Sequence, residues 1–469
     1  MRIAQKGRSS TRQLTRIESV IGTNSMNIFI AGGGRIGFHL TRIVCNEKHD
    51  VTLIETDPIK VEQVDYALDC RTVRGSASSV GLLQDLGADE ADIFVSVTGN
   101  DEINLIAAAA AKGLGAKQAV ARVDNPTYFE SNMLYETLFG IDYVLSPDAL
   151  TALEIAHYVE SPGVVSAADF GRGHVQMRQM RIASNSNVGA RALKDITLPA
   201  GTLAGVVVRE GNAFIPNGDT VIEPGDTVAF IGDKEGMAKV QKLFKGSTPA
   251  TEKVVIMGGS TIGLHLAQVL ENRQPSVKLM EWNMATCNAI APRLKKTKVV
   301  CRDASSRDAL EQEHVGGADM FIAATSDDER NIMACLLAKE VGAKTSISVV
   351  NQPDFASLVG KLGIDHAVTP RVSVANRVLR LIHHRAVSAM GASDSGAVEI
   401  LEYDVSPKSP IIGKPLRDVR FPKQVLIGGI VRGEKVIVPR GEDALEEGDT
   451  VLVIVNAKSI DAVERLINN

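Results

Sequence analysis

The fold of this chain is decided by a glycine-rich stretch that occurs twice. Residues 26–40 read MNIFIAGGGRIGFHL, and residues 253–266 read KVVIMGGSTIGLHL. In both, an apolar run typical of a buried strand enters a glycine turn, after which apolar residues recur at helical spacing. The stretch therefore predicts a strand, a tight turn and a helix, which is how a doubly wound α/β sheet begins.

The repetition extends along the whole chain. Glu281 follows Glu55 at the same interval at which Gly258 follows Gly32. Further matches continue after one inserted residue and again in the tails; they pair Asp92 with Asp319, Thr98 with Thr325, Asn104 with Asn331, Pro126 with Pro353 and Asp226 with Asp449. A repeat of this length indicates a tandem duplication, and its halves are called copy one and copy two below.

Each copy combines two different patterns. In copy one, strands are predicted at 27–31, 51–54, 93–97 and 118–123, with helices at about 36–45 and 102–112. The tail has predicted short strands at 175–182, 203–209, 213–215 and 227–231, and a helix at 234–244. Alternating strands and helices imply a parallel sheet covered on both faces. We therefore expect an α/β protein with two Rossmann-like doubly wound parallel sheets, each followed by a small α+β module.

Shifts in composition predict the domain boundaries. A basic, non-folded extension at 1–25 precedes the first α/β domain, and a polar linker joins the two copies. In chain order, the segments after the extension are the first α/β domain at 26–160, the first tail module at 164–244, the linker at 245–252, the second α/β domain at 253–385 and the second tail module at 397–469.

Composition excludes several classes of function. The 469 residues carry a formal net charge of −5 and only 4% aromatic residues, whereas nucleic-acid binders usually have a basic surface and stacking rings. No apolar run reaches the ~18 residues that are needed to cross a bilayer. The five cysteines are scattered and never spaced as C-x-x-C. We expect a cytoplasmic chain with no nucleic-acid partner, no membrane span and no metal.

The glycine turn of copy one has the character of an anion cradle. It contains Gly-x-Gly-x-x-Gly between a strand and a helix, where glycines let the backbone approach a pyrophosphate at the helix N-terminus. The adjacent Arg35 can neutralise phosphate charge. The candidate cofactor-binding residues of this turn are Gly32, Gly33, Gly34, Arg35, Ile36 and Gly37. A turn kept only for packing is the alternative interpretation.

Other candidate residues follow the neighbouring strands. Glu55 ends the second strand, where a carboxylate accepts hydrogen bonds from an adenosine ribose and repels a 2′-phosphate, so NAD(H) or an adenine nucleotide is favoured over NADP(H). Thr98, Asp101 and Arg122 follow the next two central strands and share the same sheet edge. Asp101 is equally well explained as a capping residue of its helix.

Copy two departs from this pattern. Ser260, Thr261 and Val349 stand where copy one has Gly34, Arg35 and Arg122, although Glu281 is retained as a candidate cofactor-binding residue. A side chain now lies where backbone should contact phosphate, and both cations are lost. The sequence predicts a weaker or different second site, or an empty structural copy.

The sequence contains none of the common catalytic motifs that were sought. The chain has no G-x-S-x-G elbow, no G-K-[ST] loop and no H-E-x-x-H spacing, and the short tails offer no substrate domain for hydride transfer. We expect a bound nucleotide to act as a signal and predict no catalytic residues. A soluble NAD-dependent oxidoreductase and a nucleotide-buffering scaffold are the alternatives.

Several motifs resemble the regulator-of-potassium-conductance family, called RCK or KTN. They are AGGGRIG in the glycine turn, ETD after the second strand, RGSAS at 74–78 and VTGNDEINLIAA at 97–108. The resemblance covers nearly the whole chain after Met26. It implies that Gly32, Gly34, Arg35, Gly37, Glu55, Thr98 and Arg122 hold the nucleotide, and that the tail modules serve regulation or assembly.

The resemblance also implies a function. It predicts a cytoplasmic regulatory subunit, peripheral at the inner face of the cell membrane, that assembles into a ring and controls a Trk-type membrane potassium transporter. NAD(H) and ATP or ADP would compete to set its conformation. Copy two departs from the family at Ser260, Thr261 and Arg302, which puts nucleotide binding by this copy in doubt.

Overall fold

A computed structural model describes most of the chain. The described residues are 25–46, 49–160, 164–170, 174–182, 186, 190–244, 251–273, 275–382, 388–390, 398–433 and 435–468. The expected extension at 1–25, except its last residue, and most of the expected linker at 245–252 lie outside them. The chain divides into two compact units, residues 1–147 and residues 148–469, and each is described by itself.

The first unit contains a six-stranded parallel sheet in the order β3-β2-β1-β4-β5-β6. Its strands are β1 (Asn27–Ala31), β2 (Asp50–Glu55), β3 (Arg71–Arg74), β4 (Ile93–Ser96), β5 (Gln118–Arg122) and β6 (Tyr143–Leu145). Its helices are α1 (Arg35–Asn46), α2 (Pro58–Ala67), α3 (Val80–Leu86), α4 (Asp101–Leu114), α5 (Pro126–Glu130) and α6 (Asn132–Phe139). The central strand β4 is buried along its whole length. The order reverses between β1 and β4, which is where doubly wound sheets bind ligands.

The second unit begins with a helix, continues through the tail of copy one and ends with copy two. The helix is α7 (Pro147–Glu160), and the tail strands are β7 (Val164–Phe170), β8 (Val175–Arg181), β9 (Arg191–Ala192), β10 (Thr202–Arg209), β11 (Asn212–Phe214), β12 (Val221–Ile222) and β13 (Thr227–Gly232). Helix α8 (Lys234–Phe244) closes this tail. A five-stranded sheet, ordered β11-β10-β13-β8-β7, forms its centre.

Copy two repeats the architecture of copy one. Its sheet, ordered β16-β15-β14-β17-β18-β19, contains β14 (Lys253–Met257), β15 (Ser276–Glu281), β16 (Lys298–Cys301), β17 (Met320–Ala323), β18 (Thr345–Val349) and β19 (His366–Val368). The helices are α9 (Thr261–Glu271), α10 (Met284–Ile290), α11 (Arg307–Gln312), α12 (Asp328–Glu340), α13 (Pro353–Val359) and α14 (Pro370–Ile382). The tail contains β20 (Ser388–Met390), β21 (Val398–Asp404), β22 (Val425–Arg432), β23 (Lys435–Ile437), β24 (Thr450–Asn456) and α15 (Ile460–Asn468). The predicted fold class is confirmed.

Helix α7 packs on the sheet of copy two. Ala152, Ile155 and Ala156 are fully buried and share one hydrophobic core with strand residues Ile256 and Leu279. The residues of this helix fall within the boundaries 26–160 that were predicted for the first α/β domain, and the sequence analysis predicted no helix there. Periodicity reveals that a helix has an apolar face, but not which sheet covers that face.

The two tail sheets also share a hydrophobic core, which contains Val206 and Ile231 from one tail and Ile400 and Ile454 from the other. Gly205 makes the approach possible, because a Cβ atom there would lie 2.4 Å from the Cδ1 atom of Ile454. The sequence showed that the tails are repeated, but it did not reveal that their sheets are packed against each other.

No helix among the described residues is both long enough and apolar enough to cross a membrane.

Candidate functional site

The glycine turn of copy one is shaped by close backbone approach. Gly32 has a φ of 106° and its N–H donates to the Ile54 carbonyl at 2.8 Å. A Cβ atom on Gly37 would lie 1.8 Å from the Gly32 carbonyl oxygen, so any side chain there would push helix α1 away from the turn. These two glycines are required by the fold itself.

Gly34 differs from its neighbours. A Cβ atom there would meet no heavy atom within 4 Å, so neither packing nor backbone conformation requires glycine at this position. The space lies at the N-terminus of helix α1, where N–H groups and the helix dipole favour an anion. Gly34 therefore leaves open the position from which a phosphate would contact the backbone. Arg35 beside it is exposed, and Ile36 is buried.

Glu55 fastens the turn to the end of β2. Its Oε2 atom accepts from the Gly33 N–H at 2.6 Å, and its Oε1 atom accepts from the N–H groups of Thr56 and Asp57 at 2.7 and 3.0 Å. Burial alone would raise the pKa of this carboxyl, but the donated hydrogen bonds together hold the pKa below its ordinary value. The carboxylate is thus ionised and fixed. Because Oε1 also accepts from the Thr56 hydroxyl at 3.1 Å, the lone pair left for a ribose hydroxyl is on Oε2.

Asn104 connects the ends of β4 and β5. This fully buried side chain accepts at Oδ1 from the Thr98 N–H and hydroxyl at 2.8 and 2.7 Å and from the Ser96 hydroxyl at 2.9 Å. Its Nδ2 atom donates to the carbonyls of Thr98 and Arg122 at 3.1 and 2.9 Å. Every hydrogen-bonding position of the amide is used, so Asn104 sets the positions of Thr98 and Arg122.

Arg122 is held by a neighbouring carboxylate. Its Nε atom donates to Asp124 Oδ1 at 3.0 Å, and its Nη2 atom pairs with Asp124 Oδ2. The Asp101 carboxylate in turn accepts from the N–H groups of Asp124 and Asn125 at 3.0 and 2.8 Å. Asp101 thus orders the loop after β5, and Arg122 already has a counter-ion that a phosphate would have to displace or share.

The structure brings the copy-one candidates to one sheet edge. The glycine turn, Glu55, Thr98, Asp101 and Arg122 all lie at or just beyond the carboxyl ends of strands β1, β2, β4 and β5. Sequence reasoning missed two residues, Asn104 and Asp124. The repetition of Asn104 in copy two was a signal for the first. No pattern in a single sequence marked Asp124 as the partner of Arg122.

Copy two keeps the hydrogen bonds of the glutamate and of the buried asparagine, but differs at the start of its first helix. Glu281 Oε2 accepts from the Gly259 N–H at 2.7 Å, and its Oε1 accepts from the Asn283 N–H at 2.8 Å. Asn331 repeats the amide network, since its Oδ1 atom accepts from the Thr325 N–H at 3.0 Å. Ser260, however, is the N-cap of helix α9, and its side chain accepts a hydrogen bond from the Gly263 N–H.

Among the described residues, no cluster of three or more His, Cys, Asp or Glu side chains is suited to a metal.

Two domain families match the chain in duplicate. The TrkA-N domain matches residues 28–147 and 254–370, and the TrkA-C domain matches residues 177–245 and 400–468. The chain belongs to the TrkA family. This membership confirms the resemblance seen in the sequence, and each copy thus consists of a TrkA-N and a TrkA-C domain.

Full-length TrkA relatives are similar over nearly the whole chain. The Trk system potassium uptake protein TrkA homolog of Archaeoglobus fulgidus is 34% identical over 441 residues, which cover 94% of this chain and 100% of that protein. The TrkA protein of Halomonas elongata is 31% identical over 450 residues, which cover 94% of this chain and 98% of that protein.

Solved structures share the fold of these TrkA domains. The GsuK channel bound to NAD superposes with a TM-score of 0.61 at 18% identity, over 95% of this chain and 79% of that chain. The GsuK RCK domain superposes with a TM-score of 0.58 at 18% identity, over 95% of this chain and 96% of that chain. At this level of identity the similarity concerns the fold.

The Asn104 network generates a prediction about stability in the first TrkA-N domain. We expect Asn104→Leu to lower the free energy of unfolding by about 3 kcal/mol, because the buried partners on Thr98 and Arg122 lose their hydrogen bonds. Asn100→Ala is the matched control, since this exposed residue caps helix α4 through one hydrogen bond to the Ile103 N–H and should cost only about 1 kcal/mol. Equal losses in urea unfolding would contradict the assignment.

Proposed function

We propose that the chain is a cytoplasmic regulatory subunit of a Trk-type potassium uptake transporter and that it senses NAD(H) and ATP or ADP through copy one. The space in front of Gly34 carries this proposal, because it leaves an anion access to the N-terminus of helix α1. Membership in the TrkA family and the name of the A. fulgidus relative support the link to potassium uptake. The similarity in fold to a channel bound to NAD supports a nucleotide ligand.

The copy-one residues fit the two ends of an adenosine nucleotide. Glu55 would accept from one ribose hydroxyl at Oε2 while keeping its bond to the Gly33 N–H, because a carboxylate oxygen has two lone pairs. The N-terminus of α1 and the exposed Arg35 would contact the phosphates. A nucleotide in this position would contact the residues that follow both β1 and β2. Whether Arg122, at the end of β5, pairs with Asp124 or with the nucleotide would then depend on the phosphate charge.

The Arg122–Asp124 pair offers a physical basis for distinguishing nucleotides. A triphosphate carries more negative charge than the pyrophosphate of NAD(H), so it competes more strongly with Asp124 for the guanidinium. A ligand shifts a conformational equilibrium only through its different affinities for the two states, commonly worth ~1–3 kcal/mol. Several chains assembled in a ring would add this bias at a transporter gate.

A soluble NAD-dependent oxidoreductase is the rival function. It requires steady consumption of NADH with a carbonyl substrate, whereas a regulator binds the nucleotide without turnover. A nucleotide-buffering scaffold would bind nucleotide without associating with a membrane transporter. Co-purification with a Trk-type transporter, together with an NADH consumption assay, separates the three functions.

The open position at Gly34 generates a functional prediction. In vesicles that contain the transporter and this chain, NADH and ATP should change the rate of potassium uptake. Gly34→Ser should abolish that response, because the new side chain caps helix α1 in the place of a phosphate. Gly81→Ser is the control, since its Cβ atom would also meet nothing within 4 Å but lies in helix α3. A nucleotide response that persists in Gly34→Ser would contradict the proposed site.

The Asp124 counter-ion generates a second prediction. Asp124→Asn should raise the affinity for ATP about fivefold, because loss of one charge near a phosphate is worth ~1 kcal/mol. The affinity for NADH should rise less, about twofold, since NADH carries fewer phosphate charges. Calorimetric titration of both ligands measures the two changes. Equal changes for ATP and NADH, or a loss of ATP affinity, would show that Asp124 does not oppose phosphate binding.

A further inference from the structure

The nucleotide-binding position of copy two contains side chains that copy one lacks. At the end of β15, Glu281 is followed by Trp282, whose side chain is 59% exposed. The guanidinium carbon of Arg330 lies 5.5 Å from the centre of the Trp282 ring. The Nη2 atom of Arg330 donates to Asp303 Oδ1 at 2.7 Å. These three residues, the Trp282 cluster, come from the ends of β15 and β16 and the start of α12.

The corresponding residues of copy one are Thr56, Ser76 and Ile103, none of which carries a long charged side chain or an indole ring. A base attached to a ribose that the glutamate holds would lie beside the end of the second strand, where these positions begin. In copy one the three positions carry hydroxyl or aliphatic side chains. In copy two they carry the indole, its stacked guanidinium and the carboxylate of Asp303.

The phosphate end of copy two is also changed. Ser260 is the N-cap of α9, and its Oγ atom accepts from the Gly263 N–H at 3.2 Å while donating to the Ala324 carbonyl. One of the N–H groups at the helix N-terminus that would otherwise donate to a phosphate thus already donates to the Ser260 hydroxyl. Copy one has Gly34 at this position and cannot make this bond.

The cations of copy one have no counterparts in copy two. Thr261 replaces Arg35, and the fully buried Val349 replaces Arg122. Asn351 stands where copy one has Asp124, and its Nδ2 atom donates to Asp328 Oδ1 at 3.0 Å. Both members of the copy-one ion pair, Arg122 and Asp124, are therefore replaced in copy two by the uncharged residues Val349 and Asn351. Neither uncharged side chain would respond to the charge of a phosphate.

We propose that copy two is closed by its own side chains, with Arg330 stacked on Trp282 in place of a base and Ser260 in place of a phosphate, so that the chain has one nucleotide-responsive site. This inference rests on the proposed role of copy one as the nucleotide sensor. Glu281 then serves to hold the copy-two turn through the Gly259 N–H. In a ring of such chains, half of the TrkA-N domains respond to nucleotide and the other half keep a constant conformation.

The native chain allows a direct test, because Trp282 is its single tryptophan and its emission reports on copy two. Titrations with adenosine, ADP, ATP and NADH are followed both by calorimetry and by tryptophan emission. The expected result is one nucleotide per chain, with no emission change upon adding adenosine. Two nucleotides per chain, or a saturable emission change that Glu281→Gln abolishes and Arg122→Ala preserves, would overturn the proposal and make the Trp282 cluster a stacking platform.

Opening copy two provides the converse test. The double variant Ser260→Gly and Arg330→Ile installs the copy-one residues at both positions and should gain a second site, with an emission change upon adding adenosine or ADP. The matched control is Arg307→Ile, which removes an arginine that pairs with Glu311 and Glu340 on the copy-two surface; it should gain nothing. A folded double variant, verified by circular dichroism, that still binds one nucleotide would show that these side chains do not close the site.

Failure of the proposed function would be recognised separately. A native chain that binds no nucleotide, while the double variant gains a site, would refute copy one as the sensor and retain the closure of copy two. Binding in the native chain that is lost in Glu281→Gln but kept in Glu55→Gln would refute both proposals.

Discussion

The close approach between helix α1 and the preceding turn is the constraint on which the copy-one site depends. Only glycine at position 37 lets the helix backbone reach the Gly32 carbonyl, and this contact directs the helix N-terminus at the sheet edge. Glu55 then fixes the turn from the other side through the Gly33 N–H. The helix dipole, the carboxylate and the open position at Gly34 are thus placed together before any ligand is bound.

The two copies show how one scaffold can keep its fold while its ligand chemistry changes. Both retain the positive φ of the first glycine, at 106° in Gly32 and 107° in Gly258, and both retain the glutamate latch and the buried asparagine. The glycine lets two backbone segments approach each other, and the glutamate and asparagine side chains form hydrogen bonds to backbone groups of neighbouring segments. Losing any of these residues would therefore lower the stability of the fold. The positions that would face the phosphates, Gly34, Arg35 and Arg122 in copy one, have diverged to Ser260, Thr261 and Val349 in copy two.

Sequence periodicity and glycine spacing predicted strands β1, β2, β4 and β5 of copy one, the duplication, and the sheet edge that carries Glu55, Thr98 and Arg122. They did not predict β3 and β6, the short strands at the two sides of the sheet. They did not predict that Arg122 pairs with Asp124, because spacing along the chain does not show which nearby carboxylate, Asp101 or Asp124, the guanidinium contacts. They also missed the Trp282 cluster, whose members come from three separate elements. The docking of α7 on the copy-two sheet was equally hidden, since an apolar helix face does not identify its partner.

The central claim is that a nucleotide binds against the N-terminus of α1 and not against that of α9. Amide hydrogen–deuterium exchange of the full-length chain, with and without saturating ATP or NADH, measures this directly. Slower exchange is expected at the N–H groups of residues 33–38, with unchanged exchange at residues 259–264. Unchanged exchange at both turns, or protection confined to the second, would contradict the central claim.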